Sequence, residues 1–327
     1  MTSACGGDDE SSSTSPMSTS SPTPSPTPTS TPTSSNFLLD PTPITDVEFT
    51  SQWANEVTFY GDLQTGIVEP NSSLSFSPGR SNFRYNHDEK TFLWIALSNT
   101  GYREYGTYYT SKITEWLPEF TDTKFWGYRN VGKGFENSFR LYKSGDSNSE
   151  LKLKHSGFGH LRSLSDLRGT PAEGLQNGRD RWLAYGVHSP TSDFPTAGIE
   201  TYNGVIYGFA IDPVAGKQYD LKGSASITVD FAAFRYSTSV EFSATSNLGQ
   251  QVQVGSGTST NGVFDTQTRL SRIAFRPEGA NFSELDFSAT FHGPSAQEIV
   301  GTFDGEIAVN PAGDPIFAQG IIAVKRR

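Results

Sequence analysis

The chain has 327 residues, 34% of them hydrophobic, and a formal net charge of −10; its mean hydropathy is −0.45. That length has room for two domains of ordinary size. The acidity excludes the basic stripe that a nucleic-acid partner needs and the adsorption to anionic lipid that cationic patches give. No run of about eighteen apolar residues occurs, so nothing in the sequence crosses a bilayer as a helix. With 32 Gly, 23 Phe and 13 Tyr against 2 Met, the mixture fits short aromatic strands joined by glycine-bearing turns.

The one cysteine, Cys5 in TSACGGDDE, leaves no internal disulfide and no Cys-based metal site. A small-residue triplet before a cysteine, with Gly-Gly and acids after it, resembles the lipobox of bacterial lipoproteins, whose thiol takes up diacylglycerol. That pattern wants Leu where Thr2 stands and a charged and then an apolar stretch upstream. The expectation is therefore a start site placed too late or a cropped signal; an unmodified thiol is the other reading. Residues 11–35 are almost only Ser, Thr and Pro, as in SPTPSPTPTSTPTSS. Such a stretch buries too little apolar area to offset its ordering entropy. Its prolines favour polyproline II at about 3.1 Å per residue, the reach of a stalk. Residues 1–36 thus read as a disordered tether, or as a tail with no purpose.

Residues 37–197 hold all five tryptophans: Trp53, Trp94, Trp116, Trp126 and Trp182. TFLWIALSN reads as a buried strand, while YREYGTYYTSKITEW and FTDTKFWGYRN alternate aromatic and polar residues. Tyr102, Tyr105, Tyr108 and Tyr109, grouped around two glycines, are the foremost candidates for a binding surface, with Trp116 and Trp126 beside them. Aromatics make rigid binding anchors, and they equally fill the core of a small β-domain; both readings stand. His155 and His160 lie close together in KHSGFGH, but no HxxxH helix or carboxylate at metal spacing supports a site. Each of the five histidines, His87, His155, His160, His188 and His292, reads as solvated or hydrogen-bonded. No G-x-S-x-G occurs. Glu284 with Asp286, and Asp304 with Glu306, lie two apart on what reads as a wet strand face, where carboxylates are usually only solvated. The expectation is no catalytic residue, no metal and no cofactor.

From residue 198 the pattern turns regular. In YDLKGSASITVDF, Tyr219, Leu221, Gly223, Ala225, Ile227, Val229 and Phe231 alternate with polar residues, so one face is buried and the other wet. FRYSTSVEFSA puts Phe234, Tyr236, Val240 and Phe242 on one face; LDFSATF does so with Leu285, Phe287, Ala289 and Phe291. IVGTFDGEIAV places Ile299, Gly301, Phe303, Gly305, Ile307 and Val309 together. IFAQGIIAV is apolar on both faces, as though one were covered from outside. About eight such runs from Ile199 to Lys325, with glycines inside them, predict an antiparallel up-and-down barrel filled by its own side chains. In FHGPSAQEIVGTF, Gly293-Pro294 ends one strand and Ser295 to Glu298 form a hairpin corner, where Glu298 accepts backbone N–H groups.

FHGPSAQEIVGTF also resembles the signature of the β-barrel domain of transferrin-binding protein B and its relatives. Gly293, Pro294, Ala296, Glu298, Gly301 and Phe303 match position by position, and Val300 stands where the family usually has glycine. TAGIETYNGVIYG is similar to the family's opening strand, GSASITVDFA to the strands that follow, and GIIAVKR to the closing strand. AYGVHSPTSDFPTAG and NSELKLKHSGFGH are similar to the end of the family's handle region. The resemblance implies an all-β lobe: a mainly β handle-like domain over 37–197 and an eight-stranded antiparallel barrel over 198–327. It also implies a surface-exposed outer-membrane lipoprotein of a Gram-negative bacterium, held to the membrane only by its N-terminal lipid and passed outward by lipoprotein export machinery. Its partner would be a soluble protein, such as an iron or haem carrier, or a haem-type ligand. Some relatives have no known ligand. The alternative is an envelope structural or interaction protein whose barrel serves fold and export. The transferrin binder has two lobes and this chain has room for one, so transferrin itself does not follow.

Overall fold

In a computed structural model, the described residues before 122 are the strands β1 (Val47–Trp53), β2 (Val57–Asp62), β3 (Ile67–Val68), β4 (Gly79–Asn86), β5 (Thr91–Leu97) and β6 (Glu115–Trp116). From residue 122 the chain is described except at 133–134, 146–147, 167–175, 213–214, 247–248, 250, 265–271, 280, 283 and 309–314. Within that part lie β7 (Phe125–Gly132), β8 (Phe135–Tyr142), β9 (Ser156–Asp166) and β10 (Gln176–Gly186). β1 to β10 form one ten-stranded sheet, in the order β5-β4-β1-β10-β9-β8-β7-β6, with β2 paired to β10 and β3 to β2. The described residues contain no α-helix, only two short 3₁₀ turns.

The second sheet has eight strands: β11 (Ile199–Asp212), β12 (Lys217–Asp230), β13 (Arg235–Ser246), β14 (Gln251–Val263), β15 (Arg272–Phe275), β16 (Asp286–His292), β17 (Glu298–Ile307) and β18 (Ile316–Arg326). Neighbours in sequence pair antiparallel except β14 and β15, and β18 pairs with β11 from Arg326 opposite Tyr202 to Phe317 opposite Ile211. The first and last strands of the meander therefore meet, which curls the sheet into a barrel. The seam lies between β14 and β15. There the described residues are joined by the Thr258–Glu278 bridge, whose two backbone bonds measure 3.0 and 2.7 Å. Phe282 packs against the seam at Gly257 and Gly279, where an added Cβ would lie 2.6 and 3.0 Å from its ring. Asn281 donates from Nδ2 to the Val254 carbonyl across the same line.

Period-two patterning dictates what fills the barrel. Leu221, Ala225, Ile227, Val229, Val240, Phe242, Phe287, Phe291, Ile299, Phe303 and Ile307 turn inward and form one core. Phe303 lies 5.1 Å from Phe287 and 5.5 Å from Phe242 between ring centroids. Its ring crosses the paired Gly208 of β11 and Gly320 of β18, where no side chain blocks it. Phe234 departs from the inward face the alternation predicts. It ends the β12–β13 turn at φ 52°, one residue before the ladder starts at the Asp230–Arg235 pair, and is 46% exposed.

A second core lies outside the barrel. Val205, Phe209 and Ile211 of β11, Val300 of β17, and Phe317, Ile321 and Ala323 of β18 pack against Phe125, Tyr142, Leu151, Leu153, Phe158, Trp182 and Ala184 of the first sheet and its loops. This is the cover that the two-sided apolar run IFAQGIIAV requires: β18 is buried on both faces from Ile316 to Val324.

Candidate functional site: the joint and the barrel end

The segment FHGPSAQE lies where the two sheets meet. Gly293 has φ 78°, and a Cβ there would come within 2.4 Å of the His155 ring, so glycine serves both the turn and the contact. Pro294 to Ala296 form a 3₁₀ turn in which Ser295 and Ala296 are also left-handed, at φ 53° and 54°. Ala296 is buried, and its carbonyl accepts a 2.5 Å bond from the Tyr202 hydroxyl, which ties the corner to β11. The corner forms as the sequence predicts, but Glu298 turns away from it. Its fully buried carboxylate accepts from Lys154 N at 2.6 Å, His155 N at 3.0 Å and Ser156 Oγ at 2.8 Å. Those donors are the two residues leading into β9 and its first residue, Ser156. The acid closes a joint between the sheets, since a buried carboxylate needs this many partners.

Backbone bonds reinforce the joint. Ser189 N donates to Phe291 O at 3.0 Å, Gly293 N to Val187 O at 2.9 Å, and Ser189 Oγ to Gly293 O at 2.5 Å. Gly301 allows close approach of the neighbouring strand: a Cβ there would lie 2.1 Å from the Ser288 carbonyl. Of the signature residues, Gly293, Ala296, Glu298, Gly301 and Phe303 are thus spent on frame and fit, and Pro294 stands exposed on the corner.

Two polar clusters brace the same interface. Asp180, fully buried in β10, takes both Nε and Nη2 of Arg162 at 2.9 and 3.0 Å and lies 2.7 Å from His160 Nε2. Burial alone would raise this carboxyl, but Arg162 and His160 outweigh it and hold it at about 2. Gln319 of β18 donates to the Asp180 carbonyl at 2.9 Å. The second cluster centres on Glu150, which pairs with Lys124 at 2.5 Å and Lys222 at 3.3 Å and accepts from the Tyr207 hydroxyl. Burial pushes the Tyr207 phenol upward, and Glu150 adds to the shift.

Tyr102, Tyr105, Tyr108, Tyr109 and Cys5 lie outside the described residues, as does His87. The backbone of Trp116 is in β6 opposite Tyr128. Trp126 is half-buried, with Lys143 Nζ 4.2 Å above its ring. The carboxylates are brought together across strands: Asp286 stands opposite Asp304 in the β16–β17 ladder. Among the described residues no group of three or more His, Cys, Asp or Glu could hold a metal ion.

One surface escaped the sequence reading. Ile199 (68% exposed), Phe234 (46%) and Val263 (69%) are the large hydrophobic side chains most open to solvent among the described residues. Asp230 pairs with Ile199 on one side and Arg235 on the other, and Arg235 pairs with Val263. All three therefore collect at one end of the barrel, on the same end as the Gly293–Glu298 corner. Beneath them Phe194, from the loop before β11, packs on Phe231, Phe264 and Phe291 at 6.1, 6.5 and 5.0 Å. The only sequence sign of this surface was three apolar residues at the ends of alternating runs.

No family model matches the chain, and no curated protein matches it. Solved structures do. It is similar to a double mutant of transferrin-binding protein B from Haemophilus parasuis Hp5, at 10% identity over 86% of this chain and 76% of that one, with a TM-score of 0.35. It is similar to HpuA from Kingella denitrificans in complex with human haemoglobin, at 13% identity over 84% and 88%, with a TM-score of 0.32. It is also similar to the isotype 1 transferrin-binding protein B of serogroup B Neisseria meningitidis, at 11% identity over 87% and 77%, with a TM-score of 0.30.

Proposed function

We propose that this chain is a non-catalytic binding protein of the outer-membrane surface. A lipid on Cys5 and a tether over 1–36 carry a handle-like domain (37–197) and a barrel domain (198–327) to a soluble partner. The observation that carries this reading is the barrel end, where Ile199, Phe234 and Val263 are held out to solvent by a barrel whose interior is already filled. Phe234 keeps a left-handed backbone to be there, and strain of that kind gathers at functional sites. Apolar side chains displayed on a braced frame suit the face of a folded protein. The choice of an iron- or haem-carrying partner, or of haem, rests on the resemblance of FHGPSAQEIVGTF to its family and is an analogy of fold and sequence. Calorimetry of the full chain against transferrin, haemoglobin and haem tests it. The expected result is binding to one of them, weakened at least tenfold by Phe234→Ser. Silence from all three removes the iron reading, and undiminished affinity in Phe234→Ser removes the barrel end as the binding face.

A second reading has its own observation. Glu298, Gly301 and Phe303 are all internal, as expected of an envelope protein whose barrel is mainly a module for folding and export. On that reading Glu298→Ala abolishes surface display in cells, while Phe234→Ser changes neither display nor any partner recovered by crosslinking.

A further inference from the structure

Two imidazoles, one from each sheet, face one another at the joint. His188 follows β10 and His292 ends β16; their backbones form an antiparallel bridge and their rings stack at 4.8 Å with 27° between planes. His292 is buried, with Nε2 3.0 Å from Thr290 Oγ1. A third ring, His155, presses on Gly293 and sets Nε2 3.1 Å from Gln297 Oε1. Each of these rings lies between the first sheet and the Gly293–Glu298 corner.

We propose that this joint is an acid-sensitive latch: mild acidification charges the His188–His292 stack and parts the corner from residues 186–189, while the apolar core between the sheets holds elsewhere. A proton on His292 is disfavoured twice, by the scarcity of water around its ring and by the His188 ring stacked on it. The other charged groups on the elements around the joint do not offset this. From the barrel come Glu298, whose oxygens are committed to residues 154–156, Lys325, which donates to the Lys152 carbonyl at 2.5 Å, and Arg326, 3.6 Å from Glu200. From the first sheet come His155 and the exposed residues Lys152 and Lys154; from the loop before β11 comes the exposed Asp193. Burial and then His188 push His292 well below the usual histidine range, against a pull upward from the Val187 and Val300 backbone. The folded joint thus binds fewer protons than the unfolded chain. Its stability falls as pH drops below the ordinary histidine value of about 6.5, and continues to fall towards the depressed value.

Hydrogen exchange on the full chain, corrected for intrinsic rates, tests the latch between pH 7.5 and 5.5. Protection of 186–189 and 291–298 is expected to fall at least tenfold relative to β12 and β13. In the double variant His188→Phe, His292→Phe, which keeps both rings in the stack but takes no proton, the loss is expected to shrink below threefold. A joint that stays protected through pH 5.5 overturns the proposal. So does a double-variant joint that loosens as much as the wild type, which places the acid response outside the His188–His292 stack. Should that variant fail to fold, the wild-type His292 ring signal decides by NMR. It is expected to stay neutral until the joint opens, and titration at the ordinary value with the joint intact overturns the latch. None of these outcomes depends on the identity of a bound partner.

Discussion

The barrel and the sheet before it are built from the same kind of strand, yet they bury their apolar faces in opposite ways. The barrel turns its stripe inward and meets itself: Phe242, Phe287 and Phe303 pack on one another across the interior. The described part of the first sheet stays open, and Phe125, Tyr142, Phe158 and Trp182 are buried against one another and the outer wall of β11, β17 and β18. Closing a sheet on itself makes a core that needs no partner, whereas an open sheet must borrow one. The joint at Glu298 matters because it fixes where the borrowing happens.

The largest break in this comparison is expected inside the barrel. Phe303→Ala empties the space between Phe287, Phe242 and the Gly208–Gly320 pair and should cost about 3–5 kcal/mol. Because the barrel wall is also half of the outer core, the loss should appear in both regions in denaturant unfolding. A first sheet that keeps its stability in this variant would mean that it does not depend on the barrel. Glu298→Ala should be smaller and lopsided. It orphans three donors in residues 154–156, at a cost of about 3 kcal/mol, and hydrogen exchange should rise there while β12 and β13 stay protected. Equal loosening of both regions would show that Glu298 braces the barrel itself.

The same contrast separates what the sequence displays from what it hides. YDLKGSASITVDF reads correctly because each residue's face is set by its neighbours two away, and the observed burial alternates from Tyr219 to Val229 as the letters do. The double-sided burial of β18 was equally legible, since nine consecutive buried positions need two covers. Phe234 was misread because alternation carries no sign of where a ladder stops and a turn begins; the Asp230–Arg235 pairing decides that. Glu298 is plain in the sequence as a signature acid, but its donors lie 142–144 residues away, beyond any local pattern. Asp180 was invisible as the partner of His160 and Arg162 for a related reason. It stands opposite Arg162 in the β9–β10 ladder, and only the register brings the charges together.

Acid sets the two regions apart most subtly, through one buried and one half-buried carboxyl. In the first sheet Asp180 is compensated by Arg162 and His160, and its contribution is present above about pH 4 and lost as pH falls towards 2. In the barrel Asp304 has the reverse fate. Burial first, and Asp286 opposite it second, raise its carboxyl to about 6, while the Arg276 guanidinium is spent on Asp286 at 2.9 and 2.8 Å. Folded Asp304 holds its proton more tightly than the unfolded chain does, so it costs stability at neutral pH, and that cost disappears as pH falls from about 6 towards 4. Asp304→Asn should therefore stabilise the protein by roughly 1–2 kcal/mol at pH 7, after allowance for screening by nearby solvent, and by almost nothing at pH 4. Denaturant midpoints at the two pH values check this. A gain that is the same at both would mean that the asparagine improves packing and that Asp286 and Asp304 do not feel each other.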